Sequence, residues 1–435
     1  MEQIDKKGSF IALLPLIVFV TLFIGTGLIK HDFNLLPLNV AILIAAVFAC
    51  AMYPKTPLAK KLDIFTKGAG HPNILLMVFV FLMAGAFSET AKSMGAVSST
   101  VNLGLSLIPG QFLLAGLFIV GAFISVAMGT SMGTVAALAP VGVGISEATD
   151  ISLALTIATV VGGAMFGDNL SMISDTTIAS VRTQKTKMSD KFKMNFLIVL
   201  PGAILTVVIL WFMTKDAGMA DASQGSYNLV KVIPYLFVLI SALCGMNVLL
   251  VLVLGVIVAS LIGLIDGSFT LGDNLKAISD GLIGMQDISM IALLIGGMIG
   301  LIEYHGGIKW LLNVVTKRVN SKRGAEFGIA GLVSVTNLAT ANNTISIITT
   351  GPLAKEIADD FQIDRRKSAS ILDIFASTIQ GIIPYGAQVL AATSVAGIST
   401  VSLLPYSFYP YLLGICGIVS ILIGYPRNKK LKADH

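Results

Sequence analysis

The eleven residues 167–177 read GDNLSMISDTT, and they set two carboxylates and a run of hydroxyls inside an otherwise apolar, membrane-length stretch. An ionised Asp at the centre of a bilayer costs roughly 2.5 to 3.5 kcal/mol on insertion scales, so intramembrane acids face a wet cavity and handle ions or protons. The segment therefore points to a membrane-embedded, all-α chain with a transport site.

The whole sequence fits that location. Hydrophobic residues make up 55% of the 435, charged residues only 12%, and the mean hydropathy is +0.87; a soluble domain carries roughly 25% charged residues. The net charge of +5 is spread over short basic loops with no aromatic-interleaved stripe, which argues against nucleic-acid binding. Cys50, Cys244 and Cys416 stand alone in apolar runs, and the histidines at 31, 71, 305 and 435 have no ligand spacing. No GxxxxGK[ST] occurs, and no nucleophile–base pair or metal-ligand cluster stands out, so neither an ATP-driven pump nor a membrane enzyme is indicated. The first apolar run, residues 10–29, is too long for a signal h-region and reads as a retained span.

A spanning helix needs about 20 apolar residues. Runs of that kind lie near 10–29, 35–53, 73–91, 194–213, 229–244, 247–265, 288–304 and 403–425. Residues 111–146 and 325–352 are interrupted by GTSMGT (129–134) and ATANNT (339–344) and read as broken spans. Residues 151–182 and 368–398 carry the polar turns GDNLSMISD and QGIIPYGAQ and read as re-entrant hairpins. With that assignment 20 of the 29 Lys and Arg fall on one side, so the positive-inside rule places both termini in the cytoplasm of a multi-pass protein. The expected fold is about ten transmembrane helices plus two re-entrant hairpins. The order of elements repeats, with 1–214 as the first repeat, 228–425 as the second and 426–435 as a cytoplasmic tail. Five crossings per half is an odd number, so the second copy is expected to be inverted. Glu89 with Glu303, and GTSMGT with ATANNT, mark the pairing.

Carbonyls freed at a helix break coordinate cations, and helix N-termini favour anions. Thr130 and Ser131 from the first break, with Asp168, Asn169, Ser171, Ser174, Asp175 and Thr176 from the motif, supply an oxygen-only set suited to a hard cation such as sodium. Asp175, flanked by Ser174, Thr176 and Thr177, is the expected sodium ligand. A proton takes its place when sodium leaves. The second half offers Thr340, Asn342, Asn343, Thr344, Gln380, Tyr385 and Gln388, a set of amides, hydroxyls and a phenol suited to a neutral or zwitterionic solute. Asp373 in ASILDIFAST is a candidate proton carrier, whereas Glu89, Glu303 and His305 near helix ends read as structural.

GDNLSMISDTT resembles the hallmark of the NhaC-like sodium/proton antiporter family within the ion-transporter superfamily, whose common form is G-D-K-L-S-P-L-S-D-T-T. Asn169 and Met172 stand where that form has Lys and Pro, so the motif itself brings no fixed cation. The resemblance covers most of residues 70–425. It implies a secondary-active antiporter of the inner membrane, with sodium and protons as coupling ions and no other cofactor. Family members also carry organic acids or amino acids, so a sodium- or proton-coupled amino-acid or carboxylate transporter is the alternative. A passive channel is the competing class. The expected partners are membrane lipid, sodium, protons and any such solute, and a homodimer is compatible with the sequence.

Overall fold

The computed structural model describes residues 8–30, 36–107, 109–172, 174–215, 227–244, 246–316 and 321–426, so nearly all of the expected tail lies outside the described residues. Those residues form helices and no strand. The first half comprises α1 (Leu14–Lys30), α2 (Leu38–Ala51), α3 (Leu58–Ala69), α4 (Pro72–Ser93), α5 (Ala96–Leu107), α6 (Leu113–Met128), α7 (Ser131–Ala148), α8 (Leu153–Leu170), α9 (Asp175–Gln184) and α10 (Met188–Thr214). The second comprises α11 (Leu229–Leu243), α12 (Val248–Ile265), α13 (Leu271–Gly284), α14 (Gln286–Tyr304), α15 (Gly307–Thr316), α16 (Lys322–Thr340), α17 (Asn343–Asp360), α18 (Arg365–Ile382), α19 (Ala387–Ala396), the single turn α20 (Thr400–Leu403) and α21 (Phe408–Ile423). Six stretches are long and apolar enough to cross a bilayer, or seven with the bent pair Thr400–Tyr406 and Phe408–Ile423. Phe10–Phe23, Leu38–Ala51, Gly110–Val126 and Leu229–Ser241 are shorter apolar helices.

The two halves are in close register. α7, α8 and α9 begin at 131, 153 and 175, and α17, α18 and α19 begin at 343, 365 and 387, a step of 212 each time; their ends keep the same step. Contacts between the halves obey the same exchange. α3 packs on α14 while α13 packs on α4, and α7 packs on α19 while α17 packs on α9. Side-chain bonds repeat as well: Ser125 donates to the Ala164 carbonyl, and Asn337, 212 residues on, donates to the carbonyl of Ala376.

Local dihedrals reassign the polar interruptions. α6 ends at Gly129, with φ +67°, and Thr130 then caps α7 by accepting from the Gly133 amide. α16 likewise ends at Ala341, with φ +50°, and Asn342 caps α17 by accepting from Ile345. One left-handed residue followed by one extended residue reverses the chain. Accordingly α6 packs on α7 and α16 on α17, and Gly121 lies against Leu138 at matching distances either side of the tip. Residues 111–146 and 325–352 are thus hairpins, not the broken spans expected.

The segments between α8 and α9 and between α18 and α19 are instead extended at Ser171, Ser174, Ile383 and Gly386, and extended backbone carries the chain onward. Each pair forms one 32-residue membrane-length stretch, Leu153–Gln184 and Arg365–Ala396. These are the broken spans, and the expectation of hairpins at 151–182 and 368–398 is corrected. Gly167 serves close packing here: a methyl group on it would sit 2.2 Å from the Ala122 carbonyl oxygen of α6.

Among the described residues two ion pairs are buried. Lys367 of α18 meets Glu326 of α16 at 3.0 Å, and Lys191 of α10 meets Asp373 of α18 at 2.8 Å. Removing one partner of a buried pair costs about 3–5 kcal/mol, because the other charge is left uncompensated in low dielectric. Lys367→Met is therefore expected to lower the thermal unfolding temperature of the purified protein markedly. Lys67→Ala, which breaks the exposed Lys67–Asp63 pair, is expected to change stability by less than about 1 kcal/mol. Equal melting shifts in the two variants would show that the Lys367 pair is already solvated.

Candidate functional site

Both hairpin tips and both span breaks converge on one cavity of about 90 Å³. At roughly 10–15 Å³ per water it has room for about half a dozen, which is enough for an ion with part of its hydration shell. The first half contributes Thr130, Ser131, Asp168, Ser174, Asp175 and Thr176, and the second contributes Asn342, Asn343, Thr344, Gln380 and Gln388. Leu76, Met77 and Val80 of α4, Met132 of α7 and Val248 of α12 form the apolar wall. Most residues expected at the site therefore meet, although they come from segments about 210 residues apart.

The two acids of the motif hold different positions. Asp168, in the last turn of α8, is buried; its Oδ2 accepts from the Ser131 hydroxyl at 3.0 Å, and its Oδ1 has no hydrogen-bond partner among the described residues. Ser131 in turn accepts from the Gln388 amide at 2.9 Å, so a donor from the second half points the Ser131 proton at Asp168. Asp175, the first residue of α9, is exposed at the cavity edge. The repeat step of 212 pairs Asp168 with Gln380, whose amide donates to the Ala341 carbonyl at the second tip. A carboxylate in one half thus faces a neutral amide in the other.

Five expected site residues do not line the cavity. The Asn169 amide donates to the Tyr409 hydroxyl, Ser171 to the Val126 carbonyl and Thr340 to the Asn342 carbonyl. Tyr385 donates to the Leu338 carbonyl and sets its ring edge-on against Phe19. Each of these ties one segment to its neighbour and so fixes the shape of the tips. Asp373 is fully buried behind the cavity and accepts from Lys191 at 2.8 Å and Asn195 at 2.7 Å. Glu89, Glu303 and His305 are also absent from the lining, and the His305 ring is buried and stacked on Tyr53 at 3.8 Å.

Lys191 is the residue that sequence reasoning passed over. It was counted with the cytoplasmic loop charges, yet its ammonium is buried and bonds to the Asn169 carbonyl, the Thr177 hydroxyl and Asp373. The fixed cation absent from position 169 is thus delivered to that position's backbone from α10. The signal was present in the sequence: Lys191 and Asn195, four apart, share one helical face at the head of an apolar run. Among the described residues no group of three or more His, Cys, Asp or Glu is placed to hold a metal ion.

Comparison with known proteins supplies the family. Residues 8–215 and 227–426 match the Na+/H+ antiporter family. Over 463 aligned residues the chain is 26% identical to the Na(+)/H(+) antiporter NhaC of Bacillus subtilis (strain 168), covering 98% of this chain and 99% of that protein. It is also 24% identical to the malate-2H(+)/Na(+)-lactate antiporter of the same organism, over 84% of this chain and 86% of that one. The crystal structure of the YdaH transporter of Alcanivorax borkumensis is similar at a TM-score of 0.44 and 15% identity, covering 95% of this chain and 99% of that one. A family match that spans nearly the whole sequence, together with multi-pass helices closing on a half-paired buried acid, makes this chain a member of the Na+/H+ antiporter family and a secondary transporter.

Proposed function

We propose that the protein exchanges sodium for protons at Asp168, and that the two ions compete for that one carboxylate. The observation that carries this reading is a buried carboxylate with one free oxygen, placed on a cavity of about 90 Å³ among neutral oxygens of Thr130, Ser131, Ser174, Thr176 and Asn343. A hard monovalent cation satisfies such a set with its charge balanced, and a proton satisfies the same carboxylate without the other ligands. One site that accepts either ion but not both is sufficient for exchange. Asn343 and Gln388 act on the ion's shell and on Ser131, in place of the solute-binding role first expected of them.

Residues 1–214 and 228–425 form the two repeats of this reading, each crossing the membrane five times, so the second is inverted. One hairpin and one broken span per half leave the crossing number as the sequence suggested. The reassignment does, however, return α17 to the side from which α16 enters. Lys355, Arg365, Arg366 and Lys367 then join the other cytoplasmic basic residues, raising their number, with the internal Lys191 set aside, from 19 to 23 of 29. Both termini lie in the cytoplasm, and the cavity sits near the midplane where the repeats meet.

The direct test uses proteoliposomes with an imposed sodium gradient, an internal pH-sensitive dye and no organic solute. Proton flux opposite in direction to the sodium gradient is expected. Its absence, together with sodium-driven uptake of a labelled carboxylate or amino acid, would assign the chain to solute carriage instead.

A further inference from the structure

The Lys191 ammonium sits where three oxygens converge. It donates to the Asn169 carbonyl at 3.0 Å, to the Thr177 hydroxyl at 2.7 Å and to Asp373 Oδ2 at 2.8 Å, which uses all of its protons. A carbonyl, a hydroxyl and a carboxylate are also the ligand types that bind hard cations. Two more oxygens belong to the same cluster, Asp373 Oδ1 and Asn195 Oδ1, and neither has a hydrogen-bond partner among the described residues. Asn195 holds the frame by donating to both the Asn169 carbonyl and Asp373.

The fold does not require charge at this place. Under the repeat step of 212, Lys191 corresponds to Leu403 and Asp373 to Val161, both buried and apolar. The other half therefore fills the equivalent space with hydrocarbon, and a buried ion pair gives no stability advantage over such packing. The cluster also adjoins the exchange site, since Asn169, whose carbonyl Lys191 meets, directly follows Asp168.

We propose that Asn169, Thr177 and Asp373 form a second site for a small monovalent cation, which the protein keeps filled with its own Lys191 ammonium. The tethered cation carries the same charge as sodium but cannot leave, so only the Asp168 site exchanges. Lys191 in this way sets the number of sodium ions bound. This extends the reading of Asp168 given above, and its test is a difference in ion count that does not depend on transport.

Equilibrium binding of radioactive sodium to the purified full-length protein, with choline as the replacement cation, reads that count. Lys191→Ala is expected to bind one sodium ion more than the wild type. The additional ion should disappear in Lys191→Ala/Asp373→Asn, persist in Lys191→Ala/Asp168→Asn, and be displaced by ethylammonium, which restores the missing end of the side chain. Lys191→Met, which fills the space without charge, should show no additional ion. Sodium or ethylammonium should raise the melting temperature of Lys191→Ala relative to choline and should not do so for Lys191→Ala/Asp373→Asn. An ion count in folded Lys191→Ala equal to that of the wild type overturns the proposal. So does failure of both cations to recover folded Lys191→Ala or the milder Lys191→Ser during extraction. Unchanged binding in Asp168→Asn would instead overturn the Asp168 reading and leave the difference between Lys191→Ala and wild type to be judged separately.

Discussion

Asp168→Asn is expected to abolish sodium-driven proton exchange, by roughly 100-fold or more, while Asp175→Asn reduces it by about tenfold or less. The carboxylate at 168 is buried against the cavity with one oxygen free, so under the proposed exchange the neutral amide removes both the charge for sodium and the group for the proton. Interactions with a charged group are worth about 1.5–3 kcal/mol each, and every 1.4 kcal/mol is tenfold in affinity. Loss of the proton carrier removes the other half of the cycle as well. Asp175 is exposed at the cavity edge, where water screens its charge and replaces its bonds. Everted membrane vesicles with a pH-gradient dye, prepared from cells lacking other sodium/proton antiporters, give the comparison at matched expression. Normal exchange in Asp168→Asn beside a dead Asp175→Asn would restore the ranking suggested by the sequence.

An all-or-none result is expected for topology. Single cysteines placed at Lys187, Lys322 and Asp360 should react with a membrane-impermeant maleimide only from the cytoplasm, and one placed at Asp150 only from outside, with Cys50, Cys244 and Cys416 replaced. All four positions are exposed. Lys322 and Asp360 are the informative pair. They open and close the α16–α17 hairpin, which turns at the left-handed Ala341 and brings its two ends to one side. A broken span in the same residues would put them on opposite sides. Labelling of Asp360 from outside would therefore contradict the hairpin and would return Arg365 and Arg366 to the outer face.

Much of the architecture was legible because a bilayer restricts what a sequence can do. Apolar runs of about 20 residues announced spans, and polar islands such as 129–134, 167–177, 339–344 and 380–388 had to be enclosed, since lipid offers no hydrogen bonds. Their repetition in order announced the two halves, although the markers Glu89/Glu303 and GTSMGT/ATANNT are 214 and 210 residues apart, whereas the helix boundaries around the site share one step of 212. The residues lining the cavity were mostly foreseen for the same reason: polar side chains within apolar sequence have few places to go.

The sequence by itself determined that this is an all-helical membrane protein with two related halves and a site assembled from polar breaks, because hydrophobic length and polar burial are properties of local composition. Only the tertiary structure decided which breaks reverse the chain, which acid is buried on the cavity and which lysine is internal. The first depends on single backbone dihedrals, left-handed at Gly129 and Ala341 and extended at Ser171 and Ile383, and residues of similar polarity occur at both kinds of break. The second depends on the break between α8 and α9, which separates Asp168, facing the cavity from the end of α8, from Asp175 at its edge. The third depends on a partner 182 positions away: Lys191 is a loop-like charge in the sequence, and only the packing of α10 against α18 brings it to Asp373, where water is excluded and the pair must satisfy itself.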